Sequence, residues 1–319
     1  SELETMIRRE LKFGDKSDLW LLVSQVDHAR MSGELTLHWR QAFSPDVVAR
    51  LYGSKSDGTL DGEYLDSLEG WADVLDYRPE SLRYSRLPLT FTVDDLRPVV
   101  PTWFSVYELA RHMRSELVSR GKLLMANATP WRIHAFAPLL DVMGTETNWL
   151  PGGTWRPDSD AVFCLRRALC YHKPYLLLQN TDFEKFTPEC VERYMQRSMF
   201  YAVFPSMFSV DASSRNYWTQ PQWYNRDRHL FVRYVPVIAR LSAAGWEPVT
   251  GARSSDASVY VERYGTKYIT LLNDSHNERT VTVDVDPSVF GAAGKSLSAT
   301  DELSAERLTA ESRPVASGG

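Results

Sequence analysis

The sequence predicts an α/β fold in which short parallel strands alternate with helices, followed by a small antiparallel β-domain. Five short, nearly continuous apolar runs recur between residues 61 and 209, as in parallel strands that are buried on both faces. Segments with helical spacing of apolar residues separate these runs. After Trp246, apolar and polar residues alternate with a period of two, which is typical of antiparallel strands. The α/β part is therefore expected to be a (β/α) barrel or a doubly wound sheet.

Each element of the α/β region follows from an apolar run or from a helix-capping signal. The parallel strands are predicted at Asp61–Ser67, Lys122–Asn127, Pro138–Gly144, Pro174–Asn180 and Phe200–Ser209. The helices between and after them are predicted at Thr102–Arg120, Asp158–His172, 187–198 and Arg228–Ala244. Thr187-Pro188 is a helix-start signal, and Gly121 and Gly245 are helix-stop signals. Two further strands are predicted earlier in the chain, at Leu19–Val26 and Glu34–Trp39.

The C-terminal region is predicted as a separate domain. Its strands are expected at Ser258–Arg263, Lys267–Asn273 and Arg279–Val285, with polar turns between them. We therefore place a domain boundary between residues 245 and 246. Residues 1–245 form the barrel-type domain in this interpretation, and residues 246–319 form a β-sandwich domain.

Composition excludes several classes of protein. The 319 residues are 43% hydrophobic and 24% charged, which excludes a disordered chain, a collagen and a small disulfide scaffold. A net charge of −5 gives no reason to expect a nucleic-acid partner. No apolar run reaches the ~18 residues of a membrane span, so no membrane partner is expected. Ten Trp, fifteen Tyr and thirteen Phe form either a large aromatic core or flat surfaces for sugar rings.

The cysteines give no sign of a metal site or of a disulfide framework. Cys164, Cys170 and Cys190 lack the short CxxC spacing that zinc sites usually show. We expect buried free thiols, no metal and no cofactor.

Polar side chains follow every predicted parallel strand. Because the carboxyl ends of parallel strands meet at one edge, these side chains are expected to lie together there. Hydrogen-bonding groups beside aromatic rings suit a carbohydrate, which has hydroxyl groups and an apolar C–H face. The candidate substrate-binding residues are Glu63, Asn127, Trp131, Trp149, Gln179, Asn180, Asp182 and Asp211.

Two carboxylates are candidate catalytic residues, because glycoside hydrolysis needs two carboxyl groups across the scissile bond. Asp66 ends the first of the five strands and Glu146 ends the third. Strand alternation leaves Glu63 as a rival to Asp66, since either face could line the site. The competing interpretation is that polar residues after strands only cap helices or form ion pairs. The absence of GxSxG, GxGxxG and GxxxxGK[ST] argues against a serine hydrolase and against nucleotide-dependent enzymes.

These segments carry a resemblance to a known family. DGEYLDSLEGWAD (61–73), LLMANATPW (123–131), DVMGTETNW (141–149), YLLLQNTDFEKF (175–186) and VYVERYGTKYITLLND (259–274) resemble the back half of a glycoside-hydrolase (β/α)₈ barrel followed by a β-sandwich. The order is similar to the α-galactosidase and α-glucosidase type. The resemblance implies that Asp66 is the nucleophile and Glu146 the acid/base, although that type usually has Asp at the second position. It also implies a short or missing front of the barrel. Since a half barrel leaves strand edges exposed, we expect a longer parent chain or a homo-oligomer.

The expected function is hydrolysis of an oligo- or polysaccharide. A second hypothesis is a non-catalytic carbohydrate-binding protein on a hydrolase-like scaffold. A third is a structural fragment whose aromatic residues are simply core.

Overall fold

The structure, a computed structural model, describes residues 60–70, 73–82, 88–210, 215–275, 277–295 and 297–308, together with residues 49 and 52. The strands predicted at Leu19–Val26 and Glu34–Trp39 lie outside the described residues, and so does Asp211. The described strands are β1 (Gly62–Leu65), β2 (Leu75–Asp76), β3 (Thr90–Phe91), β4 (Pro98–Pro101), β5 (Leu123–Ala126), β6 (Val142–Thr147), β7 (Tyr175–Gln179), β8 (Phe204–Met207), β9 (Trp246–Glu247), β10 (Ala252–Ser254), β11 (Val259–Tyr264), β12 (Tyr268–Asn273), β13 (Val283–Val285), β14 (Ala299–Thr300) and β15 (Arg307–Leu308). The described α-helices are α1 (Pro79–Leu82), α2 (Thr102–Val118), α3 (Asp160–Cys170), α4 (Pro188–Phe200) and α5 (Pro221–Ala244).

A five-stranded sheet in the order β1-β5-β6-β7-β8 forms the α/β part of the fold. β1 pairs with β5, β5 with β6, and β7 with β8, and each of these pairs is parallel. The prediction of parallel strands that alternate with helices is therefore confirmed. Within the described residues the sheet is open and does not close into a barrel.

Local chemistry explains where the main helices begin and end. The side-chain oxygens of Ser159 and Thr187 accept hydrogen bonds from backbone N–H groups in the first turns of α3 and α4. α5 begins at Pro221 rather than at Arg228, because proline fits the first turn of a helix. Gly245 ends α5 with φ of 82°, and a Cβ there would lie 2.8 Å from the ring of His172. No described helix is both long enough and apolar enough to cross a membrane.

The chain divides into two compact units, residues 1–143 and residues 144–319. In the first unit, α2 buries Leu109, Met113 and Leu117. This unit also contains a three-stranded antiparallel sheet, β2-β4-β3, in a region where the sequence predicted no element. Strands of two to four residues carry too little periodicity to be recognised in the sequence.

The second unit combines α/β and antiparallel structure. Its antiparallel sheets are β12-β11-β9, β10-β13 and β14-β15. The change to antiparallel strands begins at β9, where the sequence predicted it. A buried cluster of Ala202, Val237, Leu241 and Tyr264 packs against Trp246 and Tyr268. The C-terminal strands therefore share a hydrophobic core with the end of α4 and with α5.

Candidate functional site

The turn after β1 presents Asp66. Its carboxylate is exposed and accepts hydrogen bonds from the Tyr64 hydroxyl at 3.2 Å and from the Ser67 hydroxyl at 3.4 Å. The buried side chain of Asn127, at the end of β5, accepts a hydrogen bond from the backbone N–H of Ser67. Leu68 N–H donates to the backbone oxygen of Asn127 at 3.2 Å. Asn127, predicted as a sugar ligand, thus uses its amide oxygen to hold the turn that carries Asp66.

Glu63 lies inside β1 and is half-buried. The hydroxyl of Tyr52 donates a hydrogen bond to its carboxylate. Burial raises the pKa of Glu63, and the hydrogen bond from Tyr52 opposes that rise. The structure thus gives the two rival carboxylates different environments. Asp66 is exposed at the strand end, whereas the Glu63 carboxylate is partly desolvated.

A buried carboxylate that sequence reasoning did not select holds the loop after β5. Glu69 is completely buried and accepts four hydrogen bonds from this loop. The donors are the hydroxyl of Thr129 at 2.9 Å and the backbone N–H groups of Trp131, Arg132 and Ile133. Four donors compensate the burial of the two carboxylate oxygens. Residues 129–133 are consequently fixed in one conformation.

This loop exposes the indole ring of Trp131, a residue that the sequence analysis selected as a candidate for stacking on sugar. The residue is 54% exposed. The guanidinium of Arg132 lies 4.5 Å from the ring centroid and forms two hydrogen bonds with Asp73, at 2.9 and 2.8 Å. The guanidinium of Arg132 lowers the pKa of Asp73. An exposed ring on a fixed loop beside a strand end is suited to stacking on the apolar face of a sugar.

In the second unit, three neighbouring strand ends meet at one edge. Glu146, at the end of β6, is exposed. The side-chain amide of Asn180, which directly follows β7, donates a hydrogen bond of 2.7 Å to Glu146 Oε2. The backbone N–H of Ser209, just after β8, lies 3.5 Å from Asn180 Oδ1. Glu146 and Asn180, both selected from the sequence, are therefore in direct contact at this edge.

Trp149 and Gln179 have a different position from the one predicted. Trp149 is 0% exposed, and its ring makes edge-to-face contacts with Trp155, Phe163 and Tyr194. Gln179 is also completely buried, and its Oε1 accepts a hydrogen bond of 3.1 Å from Trp149 N–H. A covered ring offers no stacking face, so in this structure Trp149 belongs to the aromatic core. Gln179 holds the Trp149 backbone instead of facing solvent.

Asp182 organises the turn after β7. Its carboxylate pairs with Lys185 at 3.0 Å and accepts a hydrogen bond from Glu184 N–H at 3.2 Å. The hydrogen bond with Lys185 lowers the pKa of Asp182. These local contacts resemble a turn cap rather than a ligand-binding arrangement. Asp211, the remaining predicted residue, lies outside the described residues.

A further exposed tryptophan lies at the edge that carries Glu146. Trp218 is 50% exposed, and its neighbour Tyr217 donates its backbone N–H to the oxygen of Phe208, which follows β8. The buried hydroxyl of Tyr217 donates to Asp227 at 3.0 Å. Asp227, which is completely buried, also pairs with Arg226 at 2.7 Å. The position of Trp218 after a strand was visible in the sequence, but its exposure depends on these tertiary contacts.

Comparison of the chain with protein-family models, with curated proteins and with solved structures finds no match. Function is therefore inferred from the residues and their geometry.

Proposed function

We propose that the protein is a glycoside hydrolase that cleaves glycosidic bonds of an oligo- or polysaccharide with two carboxyl groups. The observation that carries this proposal is the set of side chains at the ends of β6, β7 and β8 in the second unit. There an exposed carboxylate, Glu146, accepts a hydrogen bond from Asn180, and the exposed indole of Trp218 is fixed at the end of β8. A carboxyl group, an amide and an aromatic face together suit the chemistry of a sugar.

The two carboxylates have different roles in this proposal. Glu146 is the proton donor to the leaving-group oxygen, and Asn180 orients its carboxyl group through the 2.7 Å hydrogen bond. Glycoside hydrolysis also needs a nucleophile or a general base. Asp66, exposed at the end of β1, is the candidate for that role. No cofactor is required for this chemistry.

The strand order supports a relationship to barrel-type hydrolases. In a (β/α)₈ barrel, successive parallel strands are neighbours, whereas a doubly wound sheet reverses direction at a switch point. The order β1-β5-β6-β7-β8 follows the chain without reversal. We propose that these strands correspond to the later strands of such a barrel, and that the strands after residue 245 correspond to its C-terminal β-sandwich.

Substitution of the two carboxylates tests this function. We expect the wild-type protein to release reducing ends from a member of a panel of polysaccharides and aryl glycosides. Glu146→Gln should lower turnover by roughly 10²-fold or more, because general acid catalysis contributes on that order. Asp66→Asn should also lower turnover by at least roughly 10²-fold, because the reaction needs both carboxyl groups. The matched control is Glu278→Gln, at an exposed position between β12 and β13, and it should keep wild-type turnover.

Near-wild-type turnover in both Glu146→Gln and Asp66→Asn would refute the assignment of the catalytic residues. Folded wild-type protein that releases no reducing ends would refute the hydrolase.

The alternative is a non-catalytic carbohydrate-binding protein. The exposed rings of Trp131 and Trp218 favour binding whether or not a bond is cleaved. Saturable quenching of tryptophan fluorescence by a glycan that is never cleaved would support this alternative. Fluorescence that no glycan alters would support a purely structural role for the aromatic residues.

A further inference from the structure

Three side chains with metal-binding chemistry converge in the second unit. Asp160 and Cys164 lie one turn apart on α3, and Glu262 of β11 faces them. Cys164 Sγ lies 3.7 Å from Asp160 Oδ2 and 3.8 Å from Glu262 Oε1. One ligand atom from each residue lies within 4.8 Å of the other two. All three residues are partly or largely buried, so the group differs from the acidic clusters that are common on protein surfaces.

Neutral hydrogen-bond donors orient the two carboxylates. The hydroxyl of Tyr201 donates to Asp160 Oδ1 at 2.8 Å, and the indole N–H of Trp246 donates to Glu262 Oε2 at 2.6 Å. The other oxygen of each carboxylate is the one nearest to Cys164 Sγ. Hydrogen bonds of this kind, made to the atom that does not bind the metal, orient ligands in known metal sites.

A buried cation beside the cluster has unused donors. Arg167 is 6% exposed and lies one turn beyond Cys164 on the same face of α3. It acts electrostatically on both Cys164 and Glu262. Its Nη1 donates to the hydroxyl of Tyr264, but Nε and Nη2 are buried and have no hydrogen-bond partner among the described residues. The guanidinium carbon also lies 5.6, 5.9 and 5.1 Å from the ring centroids of Tyr201, Trp246 and Tyr264. Because an unsatisfied buried donor is costly, the two free nitrogens favour an acceptor held at the cluster.

We propose that Asp160, Cys164 and Glu262 bind a divalent transition-metal ion of the zinc class, with water as the fourth ligand. Zinc takes sulfur at about 2.3 Å and carboxylate oxygen at about 2.0 Å, and a tetrahedral angle then separates sulfur from oxygen by roughly 3.5 Å. The two distances from Cys164 Sγ, 3.7 and 3.8 Å, are close to this separation. The bound water accepts a hydrogen bond from Arg167.

The formal charges of the cluster balance when the ion is bound. With a protonated thiol, the two carboxylates and the guanidinium of Arg167 leave one net negative charge. A thiolate, two carboxylates, one divalent cation and the guanidinium sum to zero. The ion therefore removes a net charge from a poorly solvated region, which is favourable.

Metal binding at this site releases a proton. Burial, together with Asp160 and Glu262, raises the pKa of the Cys164 thiol to about 12, against the smaller effect of Arg167. Burial also raises the pKa of Glu262, opposed by Trp246 and Arg167. The hydroxyl of Tyr201 donates to Asp160, and the hydroxyl of Tyr264 accepts a hydrogen bond from Arg167 beside the cluster. Binding of the metal replaces the S–H bond of Cys164 with a metal–sulfur bond, and the proton passes to the buffer.

Cobalt titration of the intact protein tests the site without reference to any enzymatic activity. One equivalent of Co²⁺ should produce a thiolate-to-cobalt charge-transfer band in the near ultraviolet and the visible bands of tetrahedral cobalt, and Zn²⁺ should abolish both. Cys164→Ser should remove the charge-transfer band, and Glu262→Gln should lower affinity at least tenfold. Cys190→Ser is the matched control, because Cys190 is also half-buried but lies outside the cluster. It should keep the band and the affinity.

The same titration identifies the results that would overturn the proposal. One is a wild-type protein without a charge-transfer band at one equivalent of Co²⁺, and another is a band that survives in Cys164→Ser. In either case the three residues form only S–H···O hydrogen bonds. Circular dichroism checks that each variant is folded. If Cys164→Ser does not fold, Asp160→Asn tests the site in its place. Calorimetry of zinc binding to the wild type in two buffers of different ionisation enthalpy then measures whether a proton is released.

Discussion

At the scale of single residues, buried carboxylates fix the loops that carry exposed tryptophans. Glu69 accepts four hydrogen bonds from residues 129–133 and thereby holds Trp131. Asp227 accepts a hydrogen bond from Tyr217 and so holds the loop of Trp218. Rings on preorganised loops lose little conformational freedom when a ligand binds. Glu69 lies beyond the residues that directly follow β1, and Asp227 lies inside α5. Their positions relative to the strand ends therefore do not indicate this role.

Trp131 and Trp149 allow a paired test of surface and core roles. Trp149→Ala should lower the free energy of unfolding by about 3–5 kcal/mol, because it leaves a cavity in the aromatic core. Trp131→Ala removes a half-exposed ring and should change that free energy by about 0.5 kcal/mol or less, while it weakens glycan binding. Urea denaturation measures the first effect and fluorescence titration the second. A large loss of stability in Trp131→Ala would contradict its assignment as a binding surface.

The raised pKa of Glu63 makes its contribution to stability depend on pH. Burial lifts the pKa above the usual value of 4.5, so the folded protein binds this proton more tightly than the unfolded chain does. The protonated carboxyl therefore supports the folded state at low pH, and this support is lost as the pH rises from 4.5 through the folded pKa. Relative to wild type, Glu63→Gln should become progressively more stable across that window.

Urea denaturation of Glu63→Gln and wild type at a series of pH values measures this difference. Glu278→Gln, at an exposed position, is the control and should show no such trend. A difference between Glu63→Gln and wild type that does not change with pH would contradict the desolvation of Glu63.

At the scale of secondary structure, apolar runs located the parallel strands but not all of their ends. β5 and β7 lie within the predicted runs, because apolar residues follow one another along both strands. Only one face of each strand is fully buried, so the continuous apolar signal overstates the burial of the other face. Pro138 instead lies in a short 3₁₀ helix, and Phe200 ends α4 rather than starting a strand. Apolar residues in a buried helix turn look the same along the chain as those in a buried strand, so the run alone cannot separate them.

The part of the candidate site that could be predicted from the sequence is the part that depends on the order of the parallel strands. Glu146 and Asn180 meet because neighbouring parallel strands end at the same edge. Adjacent residues along a strand point to opposite sides of the sheet, so Asn180 and Gln179 are expected to point in opposite directions. The sequence does not indicate which of these two side chains is buried, and in the structure it is Gln179. Contacts between residues that are far apart along the chain could not be predicted from the sequence either. Glu262 lies 98 residues from Cys164 along the chain, so spacing could not indicate their cluster.

At the scale of the whole molecule, the C-terminal strands are integrated into the second unit. The hydroxyls of Tyr264 and Thr270 both donate to the backbone oxygen of Phe200, at 2.6 and 2.8 Å. Arg197 of α4 pairs with Asp274, which follows β12. These polar contacts accompany the shared hydrophobic core around Val237 and Tyr264. The change of sequence pattern at residue 246 therefore marks a change of architecture inside one compact unit.

Truncation of the chain tests this integration. A protein that ends at residue 245 would lose Tyr264 from its core, and would leave the largely buried side chains of Arg167 and Arg197 without their partners. Loss of a buried aromatic side chain from a core typically costs about 3–5 kcal/mol, which is a large part of the stability of an ordinary domain. We expect the truncated protein to lack a cooperative unfolding transition, whereas a control that ends at residue 308 should keep it. Circular dichroism during urea denaturation distinguishes the two. A shortened protein that unfolds cooperatively at the wild-type midpoint would instead establish an independent C-terminal domain, with its boundary where the sequence pattern changes.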